Sequence, residues 1–165
     1  MHGATAGSTF PAPFSRFSGE VRAEWIDSND HMNLAYYVVL FDHGTDAIYT
    51  ALGMGPDYKQ RYRGGTFAVE THTLYRAELR QGARVAIETL VAGVDAKRLH
   101  LAHTMLGPDG RPAAMQEILF LHVDLETRRV APWPAAILAH LLAARDAHAR
   151  LPRPDWLGGR IAMPG

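Results

Sequence analysis

The sequence predicts an α+β domain in which an antiparallel sheet curls around one long helix. Three observations carry this. The longest apolar run in the chain, Leu34-Ala35-Tyr36-Tyr37-Val38-Val39-Leu40-Phe41, opens a segment with Tyr37, Phe41, Ile48 and Leu52 on one stripe at three-to-four spacing, as in a helix. Four strand-like runs follow, joined by connections short enough to make neighbours antiparallel. A single Ala- and Leu-rich stretch after them reads as a terminal helix, so the helices pack on one sheet face.

The elements justify themselves in order. The run 21–27 alternates, with Val21, Ala23, Trp25 and Asp27 on one face, and predicts a short first strand. The long helix runs over about 33–52, with Asn33 or Asp30 as N-cap and Gly53-Met54-Gly55-Pro56 as its stop. Tyr36, Leu40, Ala47 and Ala51 widen its apolar stripe, so it is enclosed on most sides, and Gly44 lets a neighbour approach closely. A linker at 55–65 holds Lys59, Arg61 and Arg63. The strand runs are 66–79, 84–94, 98–106 and 113–124, the last two separated by Pro108-Asp109-Gly110. The terminal helix covers 135–150, and the tail, 151–165, lies extended across the surface.

At 165 residues the chain is one domain, spanning 19–165, after a small, polar lead-in at 1–18 that reads as disordered. Seventeen basic and seventeen acidic residues cancel, which removes the global electrostatic case for nucleic acid or an anionic membrane. No apolar run reaches transmembrane length. The absence of cysteine excludes disulfides, thiolate metal sites and a Cys nucleophile, and suits the expected cytoplasmic location. There is no Gly-x-Ser-x-Gly elbow and no Gly-rich nucleotide loop.

Chemistry concentrates just before the long helix. Six of the nine residues from Trp25 to Asn33 are polar, among them Asp27, Asn29 and His31. They surround a helix N-terminus, whose unpaired N–H groups and positive dipole end stabilise negative charge on a carbonyl oxygen. A loop of capping residues reads equally well from physics alone.

The run Asp27-x-Asn29-x-His31-x-Asn33-x-x-x-Tyr37 resembles the active-site segment of hotdog-fold acyl thioesterases, including plant acyl-carrier-protein thioesterases and bacterial acyl-CoA thioesterases of the 4-hydroxybenzoyl-CoA type. Many relatives carry Gly where this chain has Asp30. Further likeness spans most of the chain. Glu70-x-His72-x-x-Tyr75-x-x-Glu78, Asp95-x-Lys97-Arg98-Leu99-His100, His122-Val123-Asp124 and Trp156-Leu157-Gly158-Gly159-Arg160-Ile161 resemble the thioesterases of carnitine breakdown. The resemblance implies a hotdog fold and hydrolysis of an acyl-CoA thioester. Coenzyme A enters only as part of the substrate, and the assembly is a homodimer or homotetramer with the site at the subunit interface. It makes Asp27 the nucleophile or the general base on water, Asn29 and His31 its orienting partners, and Glu78 a second candidate base. A hotdog dehydratase or hydratase, and a non-catalytic acyl-CoA-binding module, are the rival readings.

The remaining candidates are weighed against plainer roles. Trp25, Tyr36, Tyr37 and Phe41 offer aromatic faces to a quaternary ammonium acyl group such as betainyl, though core packing is the commoner use of such residues. Asn33 is a substrate contact or only the helix cap. Glu70, His72 and Glu78 share one strand parity, opposite to Phe67, Val69, Tyr75 and Leu79, and point toward a subunit interface unless a β-bulge intervenes. Lys97 and Arg98, with Arg61 and Arg63, could hold the phosphates of coenzyme A or simply face water. His100 and His103 point to opposite faces of a strand, so they are not a metal pair, and His103 and His122 read as hydrogen-bonded sheet residues.

Overall fold

A computed structural model of the chain describes residues 9–163. The elements are β1 (Phe14–Glu20), a 3₁₀ turn (Ala23–Trp25), α1 (Leu34–Ala51), α2 (Tyr58–Tyr62), β2 (Gly64–Tyr75), β3 (Arg84–Val94), β4 (Arg98–Leu106), β5 (Pro112–Asp124), β6 (Arg129–Val130) and α3 (Ala135–His148). The sheet order is β1-β3-β4-β5-β2, with β6 beside β5 and every pair antiparallel. Curled around α1, this is the hotdog arrangement.

The core forms where α1 meets the sheet. Leu40, Phe41, Ile48 and Leu52 are 0–1 % exposed and pack with Ile87, Leu101 and Met105. Gly44 sits where α1 crosses β3, and a Cβ there would stand 2.7 Å from Ile87 Cγ2, so the close approach needs glycine. α3 closes the other end through Ile137, Leu141 and Ala144. Among the described residues no helix is long and apolar enough to cross a membrane.

Four expectations change. The first strand is not at 21–27 but at 14–20, inside the segment read as a disordered lead-in. Ala23, which alternation would bury with Val21 and Trp25, is exposed, and the chain makes a 3₁₀ turn over Ala23–Trp25 instead of a strand. The part of the lead-in at 1–8 lies outside the described residues. Second, β2 ends at Tyr75, and its neighbour is β5, not the next strand in sequence. Residues 76–79 are instead drawn to the loop before α1, where Met32 N donates to Leu79 O at 2.7 Å. Third, a bulge at Val69 shifts the register between Ala68 and Glu70. Phe67 therefore shares the outer face with Glu70 and His72, while Tyr75 keeps the helix side. Fourth, α2 and β6 occupy stretches read as linkers.

Candidate active site

The polar cluster is a small hairpin-like loop. Ile26 and Met32 bridge, Asp27 N donates to His31 O at 3.1 Å, and Asp30 N donates to Asp27 O at 3.1 Å. Asn29 N also donates to Asp27 Oδ1 at 2.8 Å, so the carboxylate both closes its own turn and presents Oδ2 outward. Asp30 sits at the tip with φ 61°, the left-handed region. That geometry explains why glycine is common there and why Asp, which tolerates it, replaces Gly.

Asn33 then caps α1, accepting from Ala35 N at 3.0 Å through its side chain and from Tyr36 N at 3.0 Å through its carbonyl. Among the described residues the Leu34 amide of the first turn is left without an acceptor. It points the positive end of α1 toward the same space.

The chain leaving β2 supplies the opposite wall. Tyr37 OH donates to Ala77 O at 3.0 Å, which ties this segment to α1. Glu78 Oε1 thereby comes 3.9 Å from His31 Nε2. Between the two walls lies a cavity of about 500 Å³. Asp27, Asn29, His31 and Asn33 enter it from the loop, Leu34 and Tyr37 from α1, and Tyr75, Arg76 and Glu78 from the strand exit. Tyr37 and Tyr75 meet edge to face with centroids 5.3 Å apart. Burial pushes both phenols above their ordinary pKa, so both stay neutral hydrogen-bond donors.

Several sequence candidates lie elsewhere. Trp25 stacks on Tyr36 at 5.2 Å and has the Arg22 guanidinium 5.2 Å from its ring centroid, and neither aromatic lines the cavity. Phe41 is fully buried against His103. Glu70 faces the outer side of the sheet by regular alternation against Tyr75. Lys97 and Arg98 form the β3–β4 turn, where Arg98 binds Asp95 at 2.6 Å. Arg98 pairs with Leu121 and Tyr75 with Ala114, so seven residues of β5, about 23 Å at ~3.3 Å per residue, separate that turn from the cavity. Tyr75, Arg76 and Leu34 were missed as lining residues. For Arg76 and Leu34 the only signal was adjacency to Tyr75 and Asn33.

His103 and His122 are structural. His103 is fully buried between the Thr45 and Thr89 hydroxyls at 3.0 and 2.9 Å, and burial pushes its pKa down to about 3. His122 bonds Tyr58 OH at 2.8 Å and Ala131 O at 3.0 Å. Among the described residues no group of three or more His, Cys, Asp or Glu is placed to hold a metal ion.

A curled sheet around a capped helix, with an acid, an amide and an imidazole at that helix's N-terminus, defines a hotdog protein of the thioesterase kind. The profile of the thioesterase-like superfamily matches residues 21–141, and the chain belongs to that family. It is 35 % identical to a betainyl-CoA thioesterase of Pseudomonas aeruginosa, the alignment covering 87 % of this chain and 91 % of that one. It is 34 % identical to an L-carnitine dehydrogenase/betainyl-CoA thioesterase of Agrobacterium fabrum, covering 94 % of this chain but 35 % of that longer protein. A Staphylococcus aureus protein solved in complex with CoA superposes with a TM-score of 0.86 at 26 % identity, covering 95 % of this chain and all of that one.

Proposed function

We propose that this chain hydrolyses an acyl-CoA thioester to the free acid and CoA. The observation that carries the reading is the cavity in which Asp27, His31 and Glu78 converge on the N-terminus of α1. Asp27 takes a proton from water as the water oxygen attacks the thioester carbonyl. The open Leu34 N–H and the α1 dipole hold the oxyanion. Asn29 orients the water or the carbonyl, and His31, backed by Glu78, moves the proton to the departing sulfur as the C–S bond breaks. A carboxylate, an imidazole and helix N–H groups are sufficient for this chemistry, so the reaction needs no metal or cofactor of the protein's own.

The acyl group we assign is short and carries a quaternary ammonium, as in betainyl-CoA. The names of the two bacterial relatives support this, and so does the cavity. Tyr37 and Tyr75 offer ring surface, and Asp27 and Glu78 supply negative charge without an adjacent demand for hydrogen bonds from the ligand. Asp30, at the tip of the loop, adds a further negative charge near its mouth.

The enzyme works as a cytoplasmic homodimer or dimer of dimers. β2 is a long edge strand, and Phe67, Val69 and Tyr75 on it are 41–52 % exposed. An open edge of this length invites pairing with a second copy. Sedimentation as a stable monomer at micromolar concentration would contradict this assembly.

A panel of acyl-CoAs with a thiol reagent tests the reaction class. Thiol release supports hydrolysis. A dehydratase or hydratase would change the acyl group without releasing thiol, and a binding module would turn nothing over.

A further inference from the structure

A second cavity, of about 290 Å³, lies on the outer face of the sheet and is roofed by the C-terminal segment. Its floor is Glu117 of β5. Glu117 Oε2 accepts from His100 Nε2 at 3.0 Å, and Oε1 accepts from Gly158 N at 2.8 Å, which fastens the tail over the strands. The tail sits tightly, since a Cβ on Gly159 would stand 3.2 Å from Trp156 O and 3.4 Å from His72 Cε1. Glu117 is thus satisfied within the protein. His72 Nδ1 stands 3.5 Å from Glu117 Oε1, an ion-pair contact when the ring is protonated and one without hydrogen-bond geometry. Glu70 and Arg160 line the same cavity with opposite charges, yet among the described residues neither side chain forms an ion pair or hydrogen bond.

Two opposite charges that share a small cavity without reaching each other match a ligand carrying both signs. The volume is at the lower edge of small-molecule pockets, roughly 300–1,000 Å³, so it suits an amino-acid-sized molecule and not coenzyme A.

We propose that this outer cavity is a second ligand site, for a small zwitterion whose cationic group faces Glu70 and whose carboxylate faces Arg160. Calorimetric titration of the full chain with glycine betaine tests it, with choline and acetate as single-charge probes. Glycine betaine is expected to bind, and choline and acetate to bind about tenfold more weakly or less, since each loses one charge-assisted contact. Glu70→Gln and Arg160→Gln should each weaken glycine betaine by about tenfold or more. Both side chains are at the surface, and circular dichroism confirms that the variants fold. Any glycine betaine held in the catalytic cavity is the part of the binding that Asp27→Asn weakens and that Glu70→Gln and Arg160→Gln leave, so the variants separate the two sites. The proposal is overturned by the absence of heat at millimolar glycine betaine, by choline binding as tightly as glycine betaine, or by loss of binding in Asp27→Asn with retention in Glu70→Gln and Arg160→Gln. No thioester enters the measurement, so its failure leaves the hydrolase reading to be judged separately.

Discussion

His31 Nε2 stands 3.9 Å from Glu78 Oε1 and joins the loop before α1 to the chain leaving β2. The two side chains are 29 % and 65 % exposed, so as an ion pair they add about 0–1 kcal/mol to stability at most. Their closeness is maintained by other bonds, from Tyr37 OH to Ala77 O and from Met32 N to Leu79 O. The structure holds the pair together without needing it for stability, which points to chemistry.

Glu78→Gln therefore separates the two roles. It should leave the melting temperature within a few degrees of wild type, as befits a surface pair worth ~1 kcal/mol or less. It should lower kcat by about 10²-fold, the low end of general acid–base contributions. Stopped-assay kinetics with melting curves check both. An unchanged kcat reduces Glu78 to a solvated acid at a strand end.

Asp27→Asn keeps the side-chain oxygen that accepts from Asn29 N, so the loop should persist. It removes the base. Thiol release should drop ~10²–10⁴-fold with far-UV circular dichroism unchanged. A variant keeping more than half the wild-type rate would remove Asp27 from the mechanism.

Asp30 bears on stability and not on the attack itself. At φ 61° a side chain with a Cβ is disfavoured, and Asp is among the few that tolerate the region. Asp30→Ala should destabilise the protein by about 1 kcal/mol, while Asp30→Gly should stay within about 0.5 kcal/mol of wild type. Urea midpoints for the two variants decide it. Equal losses would mean that the Asp side chain, not the backbone angle, matters at this tip.

The buried imidazoles set an acid limit on stability. Burial holds His103 neutral with a pKa of about 3, and burial lowers His148 as well. His148 Nδ1 accepts from Val91 N at 2.7 Å, a bond only the neutral ring makes, and Nε2 donates to Pro11 O at 2.7 Å. Both folded pKa values lie below the unfolded value near 6.5, so the unfolded chain binds more protons in between. Their contribution is fully present above pH ~6.5 and declines as pH falls below it, by up to about 1.4 kcal/mol per pH unit for each ring, until the folded value is reached. For His103 that decline continues to about pH 3. Urea unfolding at stepped pH should show stability falling between about pH 6.5 and 5, above the carboxylate range. A flat profile there contradicts the neutral assignment.

Local signals were legible in the sequence, and distant ones were not. β3 and β4 fall where alternation and turn residues put them, and α1 begins one residue after its expected cap, because those cues lie within a few residues of what they specify. β1 was missed because its partner, β3, is far along the chain, and the apolar residues Phe14 and Phe17 looked like part of a polar lead-in. The parity argument holds for Glu70, which stays opposite to Tyr75, and the Val69 bulge breaks it only for Phe67. In the site, Asp27, Asn29, His31, Asn33 and Tyr37 could be read because they form one contiguous motif. Glu78 reaches them only through tertiary hydrogen bonds. The sequence could not place Trp25 and Phe41, since an aromatic facing a core and one facing a ligand have the same spacing on a helix or turn, and both pack into the core.

That failure sharpens the substrate prediction. With Trp25 and Phe41 outside the cavity, a cationic acyl group must be recognised by Tyr37 and Tyr75, together with the charges of Asp27 and Glu78. A cation over a tyrosine ring is worth about 0.5–2 kcal/mol depending on burial. Two such rings give betainyl-CoA roughly a tenfold or greater advantage in kcat/KM over its neutral isostere, 3,3-dimethylbutyryl-CoA, which keeps the shape and removes the charge. Tyr75→Leu should shrink that ratio and leave the rate with the neutral isostere nearly unchanged, since it removes ring surface but no group in the attack on the carbonyl. If the neutral isostere, benzoyl-CoA or a medium-chain acyl-CoA is cleaved with the higher kcat/KM, the pocket is not built for a cation. Asp27 and the α1 N-terminus would still be the hydrolytic machinery, acting on a different acyl group.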